Sequence, residues 1–207
     1  FPSISFNNDC AHTLTYLRLS EDLAGDTAYL DGKLARGRTL ERIKLALNFI
    51  RKHSNVDSKA LLVSRNFLNT GESGNLGKGL GTSASGSSAL AVAASYIIYG
   101  ENSPVLQNRR LMSVFSRFVS GSGCRSMAGG ISMWMSHPEA APFDCFAIRL
   151  DRDKHQSFLR DISVLTIPIQ SKLKTSQAHE IAPKSPFFPA WLKYRKKLVL
   201  DLIEALN

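Results

Sequence analysis

Hydrophobic and polar positions alternate from His12 to Leu19, the period of a half-buried strand. Thr27 to Leu30 and Lys33 to Ala35 flank Asp31-Gly32, a pair suited to the positive φ angles of a tight turn, so a hairpin is expected there. The period then lengthens. Leu40, Ile43, Leu47 and Ile50 recur every three or four residues, which predicts a helix capped by Thr39 and ending in the polar run Lys52 to Asp57. Ala60 to Ser64 reads as strand, and a glycine-rich stretch, Gly71 to Gly86, leads into an alanine-rich helix from Ser87 to Tyr99 that Gly100 stops. Ser103-Pro104 opens one further helix, with Leu111, Val114, Phe115 and Phe118 on its buried face and Gly121 at its end.

A second cluster of glycine and serine follows and reads as a turn. Ile131 to Met135, Phe143 to Leu150 and Ile162 to Ile169 are predicted strands, and a last helix starts near Pro189. Strands and helices mix without strict βαβ alternation, which argues α+β rather than a doubly wound parallel sheet. The charged stretch Asp151 to Asp161 is the expected domain seam, giving units 1–155 and 156–207.

Composition narrows the class. The 207 residues are 43% hydrophobic and 21% charged, which excludes a disordered, collagen-like or coiled-coil chain. The longest uncharged stretch, Leu80 to Tyr99, is rich in Gly, Ser and Thr through its first half, so no membrane helix is expected. The formal charge of +9 points to an anionic partner without saying which one. Cys10, Cys124 and Cys145 are odd in number and lack CxxC spacing, against a disulfide framework or zinc site and in keeping with a reducing cytoplasm. Phe1 is not a Met, and Phe1-Pro2-Ser3-Ile4 has no basic region, so the residues here are not expected to be a signal peptide. At the other end, Trp191, Leu192, Leu198, Val199, Leu202, Ile203 and Leu206 carry a helical stripe to the last positions, so the chain is expected to be truncated at both ends.

Two constellations could carry chemistry. In Gly77-Lys78-Gly79-Leu80-Gly81-Thr82-Ser83-Ala84-Ser85-Gly86, glycines let backbone amides converge on an anion, the following helix adds its positive end, and hydroxyls suit phosphate oxygen or magnesium. It is neither a Walker loop nor a GxGxxG turn, and a flexible loop before a tightly packed helix fits it equally. In Ser120-Gly121-Ser122-Gly123-Cys124-Arg125-Ser126-Met127-Ala128-Gly129-Gly130, one guanidinium among small residues suits a carboxylate or phosphate, and a solvated turn is the plain alternative. Cys124 reads as a packing residue, since no His or Asp pattern supports a nucleophile. In a third segment, Ser171 to Glu180, His179 is either a base or a surface residue, and Lys172 and Lys174 read as solvated.

GLGTSASG entering the alanine-rich helix resembles the ATP-binding motif of the GHMP kinase superfamily. SGSGCRSMAGG followed by ISMW resembles the signature of its mevalonate diphosphate decarboxylase and phosphomevalonate decarboxylase branch. Phe1-Pro2-Ser3-Ile4-Ser5, with Thr13 and Thr15, resembles that branch's early strand. The resemblance implies a GHMP-type two-domain fold, with a ribosomal-protein-like α/β N-terminal domain followed by the start of a ferredoxin-like domain. It implies a cytoplasmic enzyme that decarboxylates a phosphorylated mevalonate, giving isopentenyl phosphate or diphosphate with loss of CO2 and phosphate. A homodimer is among its expectations, and neither nucleic acid nor membrane is an expected partner.

It places ATP on Gly79, Leu80, Gly81, Thr82, Ser83, Ala84 and Ser85, and Mg2+ on Ser83. A substrate already phosphorylated on its tertiary oxygen would need no ATP. Substrate falls to Ser122, Gly123, Arg125, Thr175 and Ser176, with Arg125 catalytic. The chain departs from the pattern at Asn75, where the superfamily has Pro, and in the expanded run Gly71 to Gly77. A GHMP-type mevalonate kinase without decarboxylation is the alternative enzyme; a basic RNA-binding α/β module is the alternative of another class.

Overall fold

The computed structural model describes residues 3–52, 54–68, 81–136, 139–151, 161, 163 and 175–205 and, of residues 175, 176 and 179, the backbone alone. Two sheets carry the fold, as an α+β architecture. In the larger, the strands run in the order β2 (Ala11–Ser20), β5 (Lys59–Leu68), β3 (Thr27–Leu30), β4 (Lys33–Leu34). β2 and β5 pair antiparallel over ten positions, from Ala11↔Leu68 to Ser20↔Lys59, while β3 joins β5 in parallel. In the smaller, β1 (Ser3–Phe6) and β7 (Phe146–Arg149) flank β6 (Ile131–Met135), all antiparallel. Asp31 (φ 48°) and Gly32 (φ 78°) close the predicted hairpin.

Helices α1 (Gly37–Arg51) and α2 (Thr82–Tyr99) pack on the larger sheet, and α4 (Arg109–Val119) packs across both of them and against β7. The core lies between them, with Leu17, Ile43, Leu47, Ile50, Leu62 and Met112 all buried. α2 approaches its neighbours closely because its buried face is Ser87, Ala91, Ala94 and Ser95 around one Leu90.

Several boundaries differ from expectation. α1 begins at Gly37, and its N-cap Arg36 makes no side-chain cap, so Thr39 is an interior residue. The alanine-rich helix starts five residues early, at Thr82. The helix expected from Ser103 to Gly121 is two: α3 (Pro104–Gln107), capped by the Ser103 hydroxyl, and α4, capped by the Asn108 side chain, which accepts from the Leu111 amide at 3.0 Å. An Asn that satisfies a helix start favours a break over a continuous helix. The second glycine cluster folds as α5 (Gly123–Ala128) instead of a turn. Phe143 to Leu150 shrinks to β7, because Pro142–Asp144 forms a 3-10 turn. The strand expected at 162–169 and the seam at 151–161 fall largely outside the described residues.

α5 owes its position to Gly123. A Cβ there would stand 2.7 Å from the Ser116 carbonyl oxygen and 2.8 Å from the Ser87 Cβ, so only glycine lets the start of α5 rest against α4 and α2. Gly123→Ala should overpack this junction and cost about 1–3 kcal/mol of unfolding free energy. Chemical denaturation would register it; unchanged stability would contradict the packing.

A buried ion pair ties the larger sheet to α1. Asp26 accepts from Arg51 at 2.7 and 2.9 Å and from the Ala60 amide at 2.8 Å, and both side chains are almost fully enclosed. In the smaller sheet the enclosed carboxylate of Asp151 accepts from the Ile131 amide at 2.7 Å and from Arg149, anchoring β6 to the end of β7. Arg149 above all holds that carboxyl below the usual range.

Candidate active site

Gly81 precedes α2 with φ 75° and ψ 11°, a left-handed conformation that a side chain would strain. Its carbonyl oxygen accepts from the Ala84 and Ser85 amides at 2.9 and 3.0 Å, which turns the glycine-rich chain into the helix axis. Where the N-terminus of α2 meets α5 and the ends of β1 and β2 lies a cleft of about 330 Å³. Ser5, Thr13, Ser85, Ser122, Arg125 and Ser126 supply its polar wall, with Gly81 and Ala84 at the helix start. This N-terminus is an intrinsically electropositive surface, and the wall is rich in hydroxyls.

Arg125 is the cationic centre of this wall. It sits on α5, partly buried; its Nη1 donates to the Ser3 hydroxyl, and its guanidinium lies 5.8 Å from the Trp134 ring centroid. Its Nε is buried and, among the described residues, makes no hydrogen bond. Burial lowers its pKa, the thiol of Cys124 opposes that shift, and the charge of Arg195 adds to it. Arg195 belongs to α7 (Phe188–Ala205), which follows α6 (Thr175–Ile181). Arg125 is therefore neither in a turn nor fully solvated. A desolvated guanidinium beside a second cation gains strongly from an arriving anion.

The predicted residues divide. Gly81, Ala84, Ser85, Ser122 and Arg125 meet at the cleft. Thr82 and Ser83 line a second cavity of about 260 Å³, bordered by Asp31, Arg42 and Asn66. A hydrogen-bond chain joins the two: Thr13 donates to the Asn66 side chain at 2.8 Å, which donates to Asp31 at 2.8 Å. Gly123 is absent from the cleft wall; its task in the structure is the packing of α5. Thr175 and Ser176 occupy the first turn of α6, while Gly79 and Leu80 lie outside the described residues, as do Lys172 and Lys174. Among the described residues no cluster of three His, Cys, Asp or Glu is placed to hold a metal.

Cys124 is buried, its Sγ donates to the Gly121 carbonyl at 3.1 Å, and burial pushes its thiol up to about 11, so at neutral pH it is a packing thiol and not a nucleophile. Sequence reasoning did not single out Asn7, His12 or Ser126 as lining residues, nor Trp134 and Arg195 as neighbours of Arg125. Ser126 and Trp134 stood inside the quoted motifs; Arg195, seventy residues along the chain from Arg125, gave no local signal.

A helix N-terminus that follows the left-handed Gly81 and shares one cleft with a partly buried arginine makes a surface whose chemistry suits a phosphate or carboxylate. Residues 1–147 match the diphosphomevalonate decarboxylase-like N-terminal domain, and the chain belongs to that family. It is 30% identical over 203 residues to a mevalonate 3,5-bisphosphate decarboxylase from Thermoplasma volcanium, covering 98% of this chain and 51% of the relative. To the enzyme of the same name from Thermoplasma acidophilum it is 27% identical, covering 97% and 47%. The chain thus spans about half the length of these relatives.

The fold is shared with the mevalonate diphosphate decarboxylase from Staphylococcus aureus (TM-score 0.74, 24% identity, 99% of this chain and 58% of that one). A further structural neighbour (TM-score 0.71, 24% identity, 99% and 59%) is a complex with MVAPP, AMPPCP and magnesium.

Proposed function

We propose that the full-length protein is a decarboxylase of a mevalonate that carries a phosphate on its tertiary oxygen. The observation that supports it most is the desolvated Arg125 facing the N-terminus of α2 across one hydroxyl-lined cleft, in a chain whose relatives are mevalonate 3,5-bisphosphate decarboxylases. In the reaction the tertiary C–O bond breaks and its electron pair leaves with phosphate. The bond between the methylene and the carboxylate carbon then breaks, its pair becomes the new double bond, and CO2 departs. The product is isopentenyl phosphate. Arg125, with Ser122, holds the carboxylate or phosphate; Gly81, Ala84 and Ser85 offer the helix end to a phosphate. Thr175 and Ser176 are proposed as further substrate contacts, and the protein as a cytoplasmic homodimer. The described residues contain no helix long and apolar enough to cross a membrane.

A second reading is supported by the other cavity. Hydroxyls of Thr82 and Ser83, the Arg42 guanidinium and the apolar walls Leu30, Ile43 and Leu62 fit a nucleotide, whose phosphates and Mg2+ would lie against Thr82 and Ser83. ATP, if bound there, would supply the phosphoryl group for a tertiary oxygen that arrives free, and the enzyme would then be a diphosphomevalonate decarboxylase. Measuring CO2 release by full-length protein from mevalonate 3,5-bisphosphate, the 5-phosphate and the 5-diphosphate, each with and without ATP and Mg2+, tests both. We expect release from the bisphosphate without nucleotide. Release from the diphosphate only with ATP establishes the second reading, and ADP formation without CO2 overturns both in favour of a kinase.

A further inference from the structure

Arg125 is held from three sides by residues that are far apart in the chain. Ser3, on β1 and 4% exposed, accepts from Nη1. Trp134, on β6, lies beside the guanidinium and stands opposite Ser3 in the β1–β6 register. Ser132, also on β6 and fully buried, donates its hydroxyl to the Arg125 carbonyl oxygen at 3.1 Å, which ties the last turn of α5 to the strand. Trp134 has little freedom of its own: Gly121 passes so close that a Cβ there would be 3.1 Å from the ring.

We propose that Ser3 is a positioning residue for Arg125: with the face of Trp134 it fixes the rotation of the guanidinium, so that the terminal pair Nη1 and Nη2 points into the cleft while Nε stays walled off. This inference rests on the proposed decarboxylase reading. An arginine free to rotate about its last torsions loses orientational entropy on each binding event and meets the developing charge at a distribution of angles. A guanidinium with one nitrogen tied to a serine and its plane laid beside an indole has lost that freedom on folding. Serine suits the task because it accepts a hydrogen bond without adding charge. A carboxylate in its place would neutralise the cation intended for substrate.

The test uses full-length protein with the substrate that proves active. Ser3→Ala should lower kcat about tenfold, leave KM within about twofold, and shift the melting temperature by no more than about 2 °C, since misorientation matters most as charge separates. Trp134→Phe, which keeps a flat face, should retain activity that Trp134→Leu loses. On an Arg125→Lys background, Ser3→Ala should change the rate no further, because the residue acts only through the arginine. Wild-type kinetics for Ser3→Ala beside a disabled Arg125→Lys overturns the inference alone, and so do losses that simply add. Wild-type turnover of Arg125→Lys overturns the reading beneath it.

Discussion

Replacing Arg125 by lysine in the full-length protein is expected to lower turnover roughly a hundredfold while moving the melting temperature by no more than about 2 °C. The charge survives the substitution; the planar fork does not. A lysine ammonium is a point charge that binds one oxygen at a time, and it cannot hold Ser3 with one arm while presenting paired donors to an oxyanion. Losing one such preorganised donor in a water-poor site costs about 3 kcal/mol in the transition state, which is the factor quoted. Stability is spared because Arg125 has no carboxylate partner among the ion pairs of the described residues. Steady-state kinetics and thermal unfolding on one preparation separate the possibilities. Unchanged turnover would mean that the cleft is not the reaction site, and a kinetic loss matched by a collapse in stability would make Arg125 a structural residue.

The larger effect on stability belongs to Arg51. Its truncation in Arg51→Ala strands the Asp26 carboxylate in the interior with only the Ala60 amide as a partner, and breaking a buried pair in this way costs about 3–5 kcal/mol. The pH dependence carries a sign that checks the cause. Burial acts to raise the Asp26 pKa, yet hydrogen bonds from Arg51 and Ala60 and the charges of Arg51 and Lys59 outweigh it and hold the carboxyl below its ordinary value. A carboxyl lowered on folding contributes stability above its unfolded pKa, near 4, and that contribution disappears as pH falls through the folded value. Without Arg51, burial is left to dominate, the folded pKa rises, and the contribution of Asp26 is instead lost as pH rises through it. Urea midpoints between pH 3 and 7 should therefore diverge between wild type and variant toward neutrality; parallel curves would contradict the assignment.

What the sequence disclosed follows from the range of each signal. The hairpin was legible because Asp31-Gly32 is a local demand for positive φ, and the end of α2 because Gly100 supplies a positive φ (86°) that few other residues adopt. The start of α2 was set too late: a stretch of glycine, serine and threonine has weak intrinsic helicity, and α2 is held instead by its packing on β2, where Gly86 faces Thr13. α5 was missed for a related reason, its glycine being required by a close approach not only to the nearby Ser116 but to Ser87, 36 positions away in the chain. The Asp26–Arg51 pair joins positions 25 apart in different elements. Arg125 and Ser122 were found because they stand within one motif. Their setting was not, since Ser3 and Trp134 reach it through strand pairing and Arg195 acts on it by its charge from a distant helix.

Ser3 and Arg125 are 122 positions apart in the chain, and the described ladder of β1 runs along β6 alone. At a synthesis rate of about 5–20 residues per second, roughly ten seconds separate the appearance of the strand from that of its partner. Loop closure over so long a span is among the slow steps of folding, whereas the Asp31-Gly32 hairpin closes locally. The cleft is thus expected to be completed late in folding, together with the docking of β1. A ligand that grips Arg125 is linked to that event: it should slow amide hydrogen exchange not only at Ser5 and Phe6 in the cleft wall but also at Ser3 and Ile4, which lie outside it.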